Sequence, residues 1–344
     1  MQIENHQIDE EVFIIAELSA NHNQDFDIAM KTVKAAKESG ADAIKLQTYT
    51  ADTITIDSGN EYFQIKQGTI WDGTTLYQLY KQAYTPWEWQ PKLKKYAEEL
   101  GLICFSSPFD KSAVDFLEEM NVAAYKVASF EITDIPLIEY IASRGKPVII
   151  STGIAILADI EEAVNTCRRV GNNNIALLKC TSSYPAPIDE ANLLTIPHLR
   201  DTFKVIPGLS DHTIGNNVAI AAVALGAKII ERHFILDRKL DGPDSSFSME
   251  PDEFKEMATS IRNVEKALGS INYQLTPKAE KNRIFSRSLF IVKNVNRGEV
   301  ITGENVRSIR PGDGLPPKFY NKIIGKKFRN DFEMGTPLSW ELIE

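Results

Sequence analysis

Lysines, hydroxyls, carboxylates and two histidines recur at one kind of place in this 344-residue sequence, the ends of short apolar runs. They are Glu17, Lys45 and Gln47, Ser106 and Ser107, Lys126 and Ser129, Ser151 and Thr152, Lys179 and Thr181, Ser210, Asp211 and His212, then Glu231 and His233. Lys45 and Lys126 supply ammonium groups. Ser107, Ser129, Ser151, Ser182 and Ser210 supply hydroxyl donors, so the set suits a compact dianion. With no Walker loop and no GxGxxG, a small phosphorylated metabolite is a better ligand than a nucleotide. Among five histidines, His212 (in GLSDHT) and His233 (in ERHF) end neighbouring runs. Two imidazoles can hold a divalent ion and leave positions for water and substrate oxygen. Glu17 and Glu231 are the acids nearest that pair, and a glutamate there can position or deprotonate water. His22 is ambiguous, whereas His6 and His198 read as peripheral. Plainer roles exist for each: a lysine paired with a carboxylate, a histidine satisfied in a core. The residues point to an anion-binding, metal-assisted enzyme without naming its reaction.

The elements that must position these groups are regular. The runs are Val12–Leu18, Ala43–Tyr49, Ile103–Phe109, Ala123–Ser129, Pro147–Gly153, Ile175–Thr181, Lys204–Asp211 and Lys228–Phe234. Near-continuous apolar runs are expected of parallel strands covered on both faces. Helical patterns lie between them: Ala29, Thr32, Val33 and Ala36 share a face, and Gly40 ends that helix. Gly101, Gly145, Gly171 and Gly226 punctuate later segments in the same way. Eight strand–helix units predict an α/β fold, a (β/α)8 TIM barrel, whose chemistry lies at the carboxyl ends of the strands. A long insertion, Thr50 to Pro86, separates the second strand from its helix and carries Ile70, Trp71, Leu76, Tyr77 and Tyr80; a connection of this length reads as a lid, a binding loop or an assembly segment. The barrel is expected over 1–270, a polar linker over 271–284, and a small, mostly β domain over 285–344.

Composition narrows the class. Hydrophobic residues make up 43% and charged residues 25%, which excludes wholesale disorder. No run approaches a membrane span and the first residues do not read as a signal peptide, so no membrane association and a cytoplasmic location are expected. Three cysteines (Cys104, Cys167, Cys180) without metal spacing agree with a reducing compartment. Net charge is −9, against a nucleic-acid binder. Residues 281–344 carry 12 Lys and Arg against 7 Asp and Glu, a net of +5, which leaves −14 on the rest. The two surfaces are therefore expected to dock, unless both are simply solvated faces.

The series AELSANH (16–22), KLQTYT (45–50), FSSPFD (105–110), AYKVASFE (124–131), STGIA (151–155), KCTSSYPAP (179–187), GLSDHT (208–213), ERHF (231–234) and GPDSSFS (242–248) resembles the sialic acid synthase family. The resemblance spans the chain, including a C-terminal domain similar to type III antifreeze proteins (a SAF domain) that contains NVRSIRPGDGL (305–315). It implies condensation of phosphoenolpyruvate with the open-chain aldehyde of an amino sugar, giving a nine-carbon α-keto acid and phosphate by C–O cleavage. Lys45, Ser107, Lys126, Ser129, Ser151, Ser182 and Ser210 match positions that bind phosphoenolpyruvate; residue 182 is Ser where the neuraminate branch has Asn, a shorter reach. His212 and His233 match the protein ligands of a divalent ion, manganese or magnesium. Glu17 matches the residue that orients water, with Glu131 and Glu231 as second acid–base candidates. Gln47, Tyr184 and Asp244 match sugar contacts. Arg310 matches an arginine that reaches across a domain-swapped homodimer to the sugar's acetamido group. Within the family, AELSANH, QTYT, IWDGTTLYQLY (70–80), CFSSPF, FSRSLF (285–290) and GLPPKFY (314–320) match the branch that uses 2,4-diacetamido-2,4,6-trideoxy-L-altrose. The neuraminate branch more typically reads EIGINH and CTNIYP.

Two rivals follow. One is a neuraminic or legionaminic acid synthase of the same family, distinguished by the sugar it accepts. The other is a non-catalytic carbohydrate- or ice-binding protein with the barrel as scaffold, which would have no need for the lysines, both histidines and Glu17.

Overall fold

A computed structural model of the chain describes residues 1–66, 68 and 70–344. Its described residues divide into two compact units, Met1–Gly269 and Ser270–Glu344.

The first unit is a closed parallel barrel of eight strands: β1 (Phe13–Glu17), β2 (Ala43–Thr48), β3 (Ile103–Pro108), β4 (Tyr125–Val127), β5 (Val148–Ser151), β6 (Ile175–Cys180), β7 (Ile206–Asp211) and β8 (Ile229–His233). They pair in chain order and β8 closes onto β1, as expected from the eight runs. Helices α1 (Phe26–Glu38), α4 (Gln90–Glu99), α5 (Lys111–Glu119), α6 (Ile135–Ala142), α7 (Leu157–Arg169), α8 (Thr195–Phe203), α9 (Asn217–Ala224) and α10 (Pro251–Leu268) follow the strands in turn. Asp25 caps α1 through the amides of Asp27 and Ile28, and the stripe Ala29, Thr32, Val33 and Ala36 is its buried face.

The two-residue period of a strand explains where the polar groups go. Phe13, Ile15, Ala43, Ile103, Phe105 and Ile229 share one buried cluster, while Ile14, Ala16, Ile44, Leu46, Cys104, Ile230 and Phe234 pack with α1, α4 and α10 in another. Continuing the inward parity one step beyond Ile15, Ala43, Phe105 and Ile229 arrives at Glu17, Lys45, Ser107 and Glu231, then at Gln47 and His233. The barrel interior is thus apolar at one end and charged at the other. An N-terminal hairpin, Gln2–Ile3 paired with His6–Gln7, packs at the apolar end: Ile3 is fully buried, and the His6 ring lies 4.8 Å from Phe13. His6 is therefore remote from the polar ends.

The insertion folds as two short helices, α2 (Ala51–Ile54) and α3 (Leu76–Ala83), each with a capping box, Thr50 with Thr53 and Thr75 with Gln78. A bridge pairs Gln64 with Thr75. Gln67 and Thr69 of this segment lie outside the described residues.

The second unit is built on the antiparallel pair β9 (Ser288–Ile291) and β10 (Val306–Ile309), with a core of Leu289, Ile291, Val295, Ile301, Val306, Ile323, Phe328, Leu338 and Ile343. The polar stretch before it is not wholly irregular. Pro277–Asn282 forms a short helix, α11, because Thr276 caps it and Pro277 opens it, signals that the polar composition obscured. Among the described residues no helix is long and apolar enough to cross a membrane.

Candidate active site

Strand register sets the site. Glu17 on β1 lies opposite Lys45 on β2 and His233 on β8, Gln47 is opposite Ser107, and Glu231 is opposite Ser210. Lys45 Nζ stands 2.6 Å from Glu17 Oε1, 3.7 Å from Glu231 Oε2 and 3.3 Å from Ser107 Oγ. Lys126 Nζ donates to Ser151 Oγ at 2.7 Å and to the Val127 carbonyl at 2.9 Å, and lies 3.8 Å from Glu231 Oε1. Ser210 Oγ donates to the same Glu231 oxygen at 2.9 Å. All these ionisable groups are at most 3% exposed. Two ammoniums and two carboxylates therefore alternate across the floor of the barrel mouth. Such a network is costly to desolvate and unforgiving of a missing partner, so it is not what a mere scaffold needs.

Burial alone would raise the Glu17 carboxyl, but Lys45 and His233, with hydrogen bonds from Lys45 and Gln47, hold it well below the usual range. Burial pulls Lys45 down, and Glu17 and Glu231 more than restore it. Lys126 is lowered, chiefly by burial and also by Lys45. Glu131 differs: burial pushes its carboxyl up to about 7, and its Oε2 is buried with no hydrogen-bond partner. One carboxylate is held charged and a second is poised to carry a proton, the pairing that acid–base chemistry needs.

The hydroxyls gather on one side. Ser129 Oγ accepts from the Gly153 amide at 3.1 Å. A Cβ on Gly153 would come within 2.8 Å of Ser129 Oγ and 2.0 Å of Ser182 Oγ, so only glycine allows both serines to approach this backbone. Ser182 is also 3.9 Å from Cys180 Sγ. Ser129, Ser151 and Ser182 thus surround the Lys126 side of the floor, while Ser107 and Ser210 sit nearer Lys45 and Glu231.

His212 and His233 converge with ring centroids 5.3 Å apart. His212 engages the Thr181 carbonyl at 3.1 Å and Cys180 Sγ at 3.9 Å through Nδ1, which orients the ring with Nε2 as its remaining ligating atom. Burial lowers His233 despite Glu17 at 3.5 Å and Asp244 at 3.7 Å. Its Nδ1 is buried without a hydrogen-bond partner. Among the described residues no three His, Cys, Asp or Glu side chains form a closed cage. Burial pulls His212 down, but Cys180 and the Thr181 carbonyl more than restore it, so an ion bound there would displace a proton; with the unpartnered nitrogen of His233 the pair fits an open divalent-ion site.

Above the floor is a cavity of about 670 Å3, within the range of small-molecule sites (about 300–1,000 Å3). Its lining includes Glu17, Lys45, Gln47, Lys126, Ser129, Glu131, Ser151, Tyr184, Ser210, His212, Glu231, His233 and Asp244. Gln47 Nε2 donates to Glu17 Oε1 at 2.8 Å and to Ser19 Oγ at 3.0 Å, and Ser19 in turn donates to Asp244. The Tyr184 ring is 4.5 Å from His212. Arg310 belongs to the second unit, in the bend after β10.

Three participants were not read from the sequence as site residues. Ser19 and Phe247 lie in quoted motifs, AELSANH and GPDSSFS, but neither carries an obvious charge to mark it. Phe247 packs 4.9 Å from His233 and 5.0 Å from Tyr184. The third is Arg232, which forms a buried pair with the strand-end residue Asp211, each one residue before a histidine; the pair faces outward and clamps β7 to β8, with Arg232 Nη2 also donating to the Thr213 carbonyl at 2.7 Å. His22, ambiguous in the sequence, meets Thr85 at 3.2 Å and is pushed down to about 4 by burial, a neutral packing histidine.

Comparison with known proteins agrees with this arrangement. Residues 32–273 match the NeuB family and residues 286–344 match the SAF domain. A Helicobacter pylori pseudaminic acid synthase is 49% identical over 96% of this chain and 97% of its own length. A Campylobacter jejuni pseudaminic acid synthase is 47% identical over 98% of both chains. The crystal structure of a Bacillus subtilis spore coat polysaccharide biosynthesis protein superposes with a TM-score of 0.68 at 34% identity, covering 100% of this chain and 99% of the other. The chain belongs to the NeuB family.

Proposed function

We propose that this chain condenses phosphoenolpyruvate with 2,4-diacetamido-2,4,6-trideoxy-L-altrose, releasing phosphate and pseudaminic acid. The observation that carries the reading is the floor of alternating Lys45, Glu17, Glu231 and Lys126 beside two converging imidazoles. A dianionic phosphate suits Lys126 with Ser129, Ser151 and Ser182; the carboxylate suits Lys45 with Ser107 and Ser210. His212 and His233 would hold a manganese or magnesium ion, which supplies Lewis-acid polarisation of the aldehyde oxygen. Gln47, Tyr184 and Asp244 orient the open-chain sugar with its carbonyl carbon over the enol carbon of phosphoenolpyruvate. Attack forms the carbon–carbon bond, and the aldehyde oxygen takes a proton from Glu131. Glu17, kept ionised by Lys45, accepts a proton from the water that adds to the cationic carbon. The tetrahedral adduct then breaks its C–O bond to phosphate. No covalent enzyme intermediate is needed, and the three cysteines are buried and free.

The functional protein is a domain-swapped homodimer in this reading. The +5 tail of one subunit covers the acidic barrel of its partner and brings Arg310 to the sugar's acetamido group. A cytoplasmic location belongs to the same reading and is supported by phosphoenolpyruvate as substrate and by three buried, free cysteines. Mass analysis of the product from phosphoenolpyruvate with a panel of acetamido aldoses is the test. The expected product is the diacetamido nine-carbon acid; preference for N-acetylmannosamine would overturn the sugar assignment, and no phosphate release with any aldose would overturn the reaction.

A further inference from the structure

The cavity has two unlike halves. Its floor is the charged layer described above, whereas its roof comes from the insertion. Leu76, Leu79, Tyr80 and Ala83 fall at i, i+3, i+4 and i+7 of α3, a single helical stripe, and all four line the cavity. Leu76, Leu79 and Tyr80 are only half-buried, so the stripe presents uncovered apolar surface to the cavity rather than to a packed core. Ile54 and Ile65 extend it. The roof is pinned across the mouth: Trp71 Nε1 donates to the Pro243 carbonyl at 2.9 Å, and its ring packs 5.5 Å from Tyr184. Capping boxes fix the starts of both helices.

Leu76, Leu79 and Ala83 offer no donor or acceptor to replace the water of a hydroxyl, so the part of the stripe that they form needs an apolar occupant, the Tyr80 phenol being its polar end. We infer that the α3 stripe is the specificity wall of the enzyme, receiving the C6 methyl of a 6-deoxy aldose and discriminating against the same sugar bearing a 6-hydroxyl. The inference rests on the proposed condensation and adds to it the surface that selects the acceptor. A hydroxyl in place of hydrogen is rejected only modestly by an apolar pocket, so discrimination of about 10- to 200-fold is expected, not an absolute barrier.

The test is kcat/KM for the 6-deoxy diacetamido aldose and for its 6-hydroxy counterpart, at saturating phosphoenolpyruvate, in the wild type and in Leu76→Gln/Leu79→Gln, with Leu76→Met/Leu79→Met as the conservative control. The double glutamine variant should lose about tenfold on the 6-deoxy sugar and narrow the ratio between the sugars by about tenfold, with KM for phosphoenolpyruvate unchanged and circular dichroism like the wild type. The methionine variant should keep the wild-type ratio. An equal fall for both sugars, or no change, would overturn the wall. A wild type that condenses no acetamido aldose would fail before any variant is compared, and would take the proposed reaction down with it.

Discussion

The two ends of the barrel are made by the same strands and do opposite work. At the amino end Phe13, Ile15, Phe105 and Ile229 fill the interior with Ile3 and Ile8 beneath them, and every inward side chain is apolar. At the carboxyl end the next inward positions are Glu17, Lys45, Ser107 and Glu231, equally shielded from solvent but ionised or hydrogen-bonded. Burial is the same at both ends; what differs is whether a missing atom leaves a void or an unpartnered charge. Stability is therefore concentrated in one layer and chemistry in the next, about two residues along each strand.

Substitution at the amino end should produce the largest loss of stability. Phe105 is fully buried and stacks 6.4 Å from Phe13, so Phe105→Ala should cost about 3–5 kcal/mol in urea unfolding. Whatever remains folded should keep its KM for phosphoenolpyruvate; a selective loss of phosphoenolpyruvate binding in folded protein would blur the division. One layer up the pattern should invert. Lys126→Met keeps the aliphatic volume and removes a charge that burial already disfavours, and Glu231 retains Lys45 and Ser210 as partners, so melting temperature should change by only a few degrees. Turnover should fall by about 10²–10³, comparable to losing one preorganised donor to a developing anion. Unfolding of that variant on the scale of Phe105→Ala would show that the charged floor is a structural keystone.

A third test separates groups within the charged end. Because burial raises the Glu131 carboxyl from its ordinary 4.5 to about 7, the folded state holds that proton more tightly than the unfolded state. Stability from this residue is full below pH 4.5 and lost as pH rises through about 7. Glu131→Gln has no such dependence, so its melting temperature should match the wild type at low pH and exceed it by a few degrees at pH 8. A gap independent of pH would mean that Glu131 finds a cation in solution. The smallest effect on folding should come from deleting residues 282–344: synthase activity is expected to vanish while the barrel's melting transition stays within a few degrees, and full activity would refute the domain-swapped dimer.

The barrel and its floor were legible because the period of a strand is short and strict. Once Ile15 and Ala43 face inward, Glu17 and Lys45 must do so too, and eight runs ending in polar residues can meet only at one rim. The roof was not legible in the same way. Trp71 finds its partner in Pro243, a contact 172 residues away in sequence that no local pattern encodes. The apolar stripe of α3 spans only eight residues, too short for its periodicity to stand out from a loop. Arg232 was hidden for a different reason: it neighbours a histidine, and an outward-facing charge on a strand reads as solvated until it is seen to be buried against Asp211.

The central claim is that the charged end of the barrel breaks the C–O bond of phosphoenolpyruvate rather than its P–O bond. Running the condensation in oxygen-18 water and weighing the released phosphate tests it most directly. Phosphate free of label is expected, since its bridging oxygen leaves with it and solvent oxygen enters the sugar acid; phosphate carrying one solvent oxygen would contradict the account.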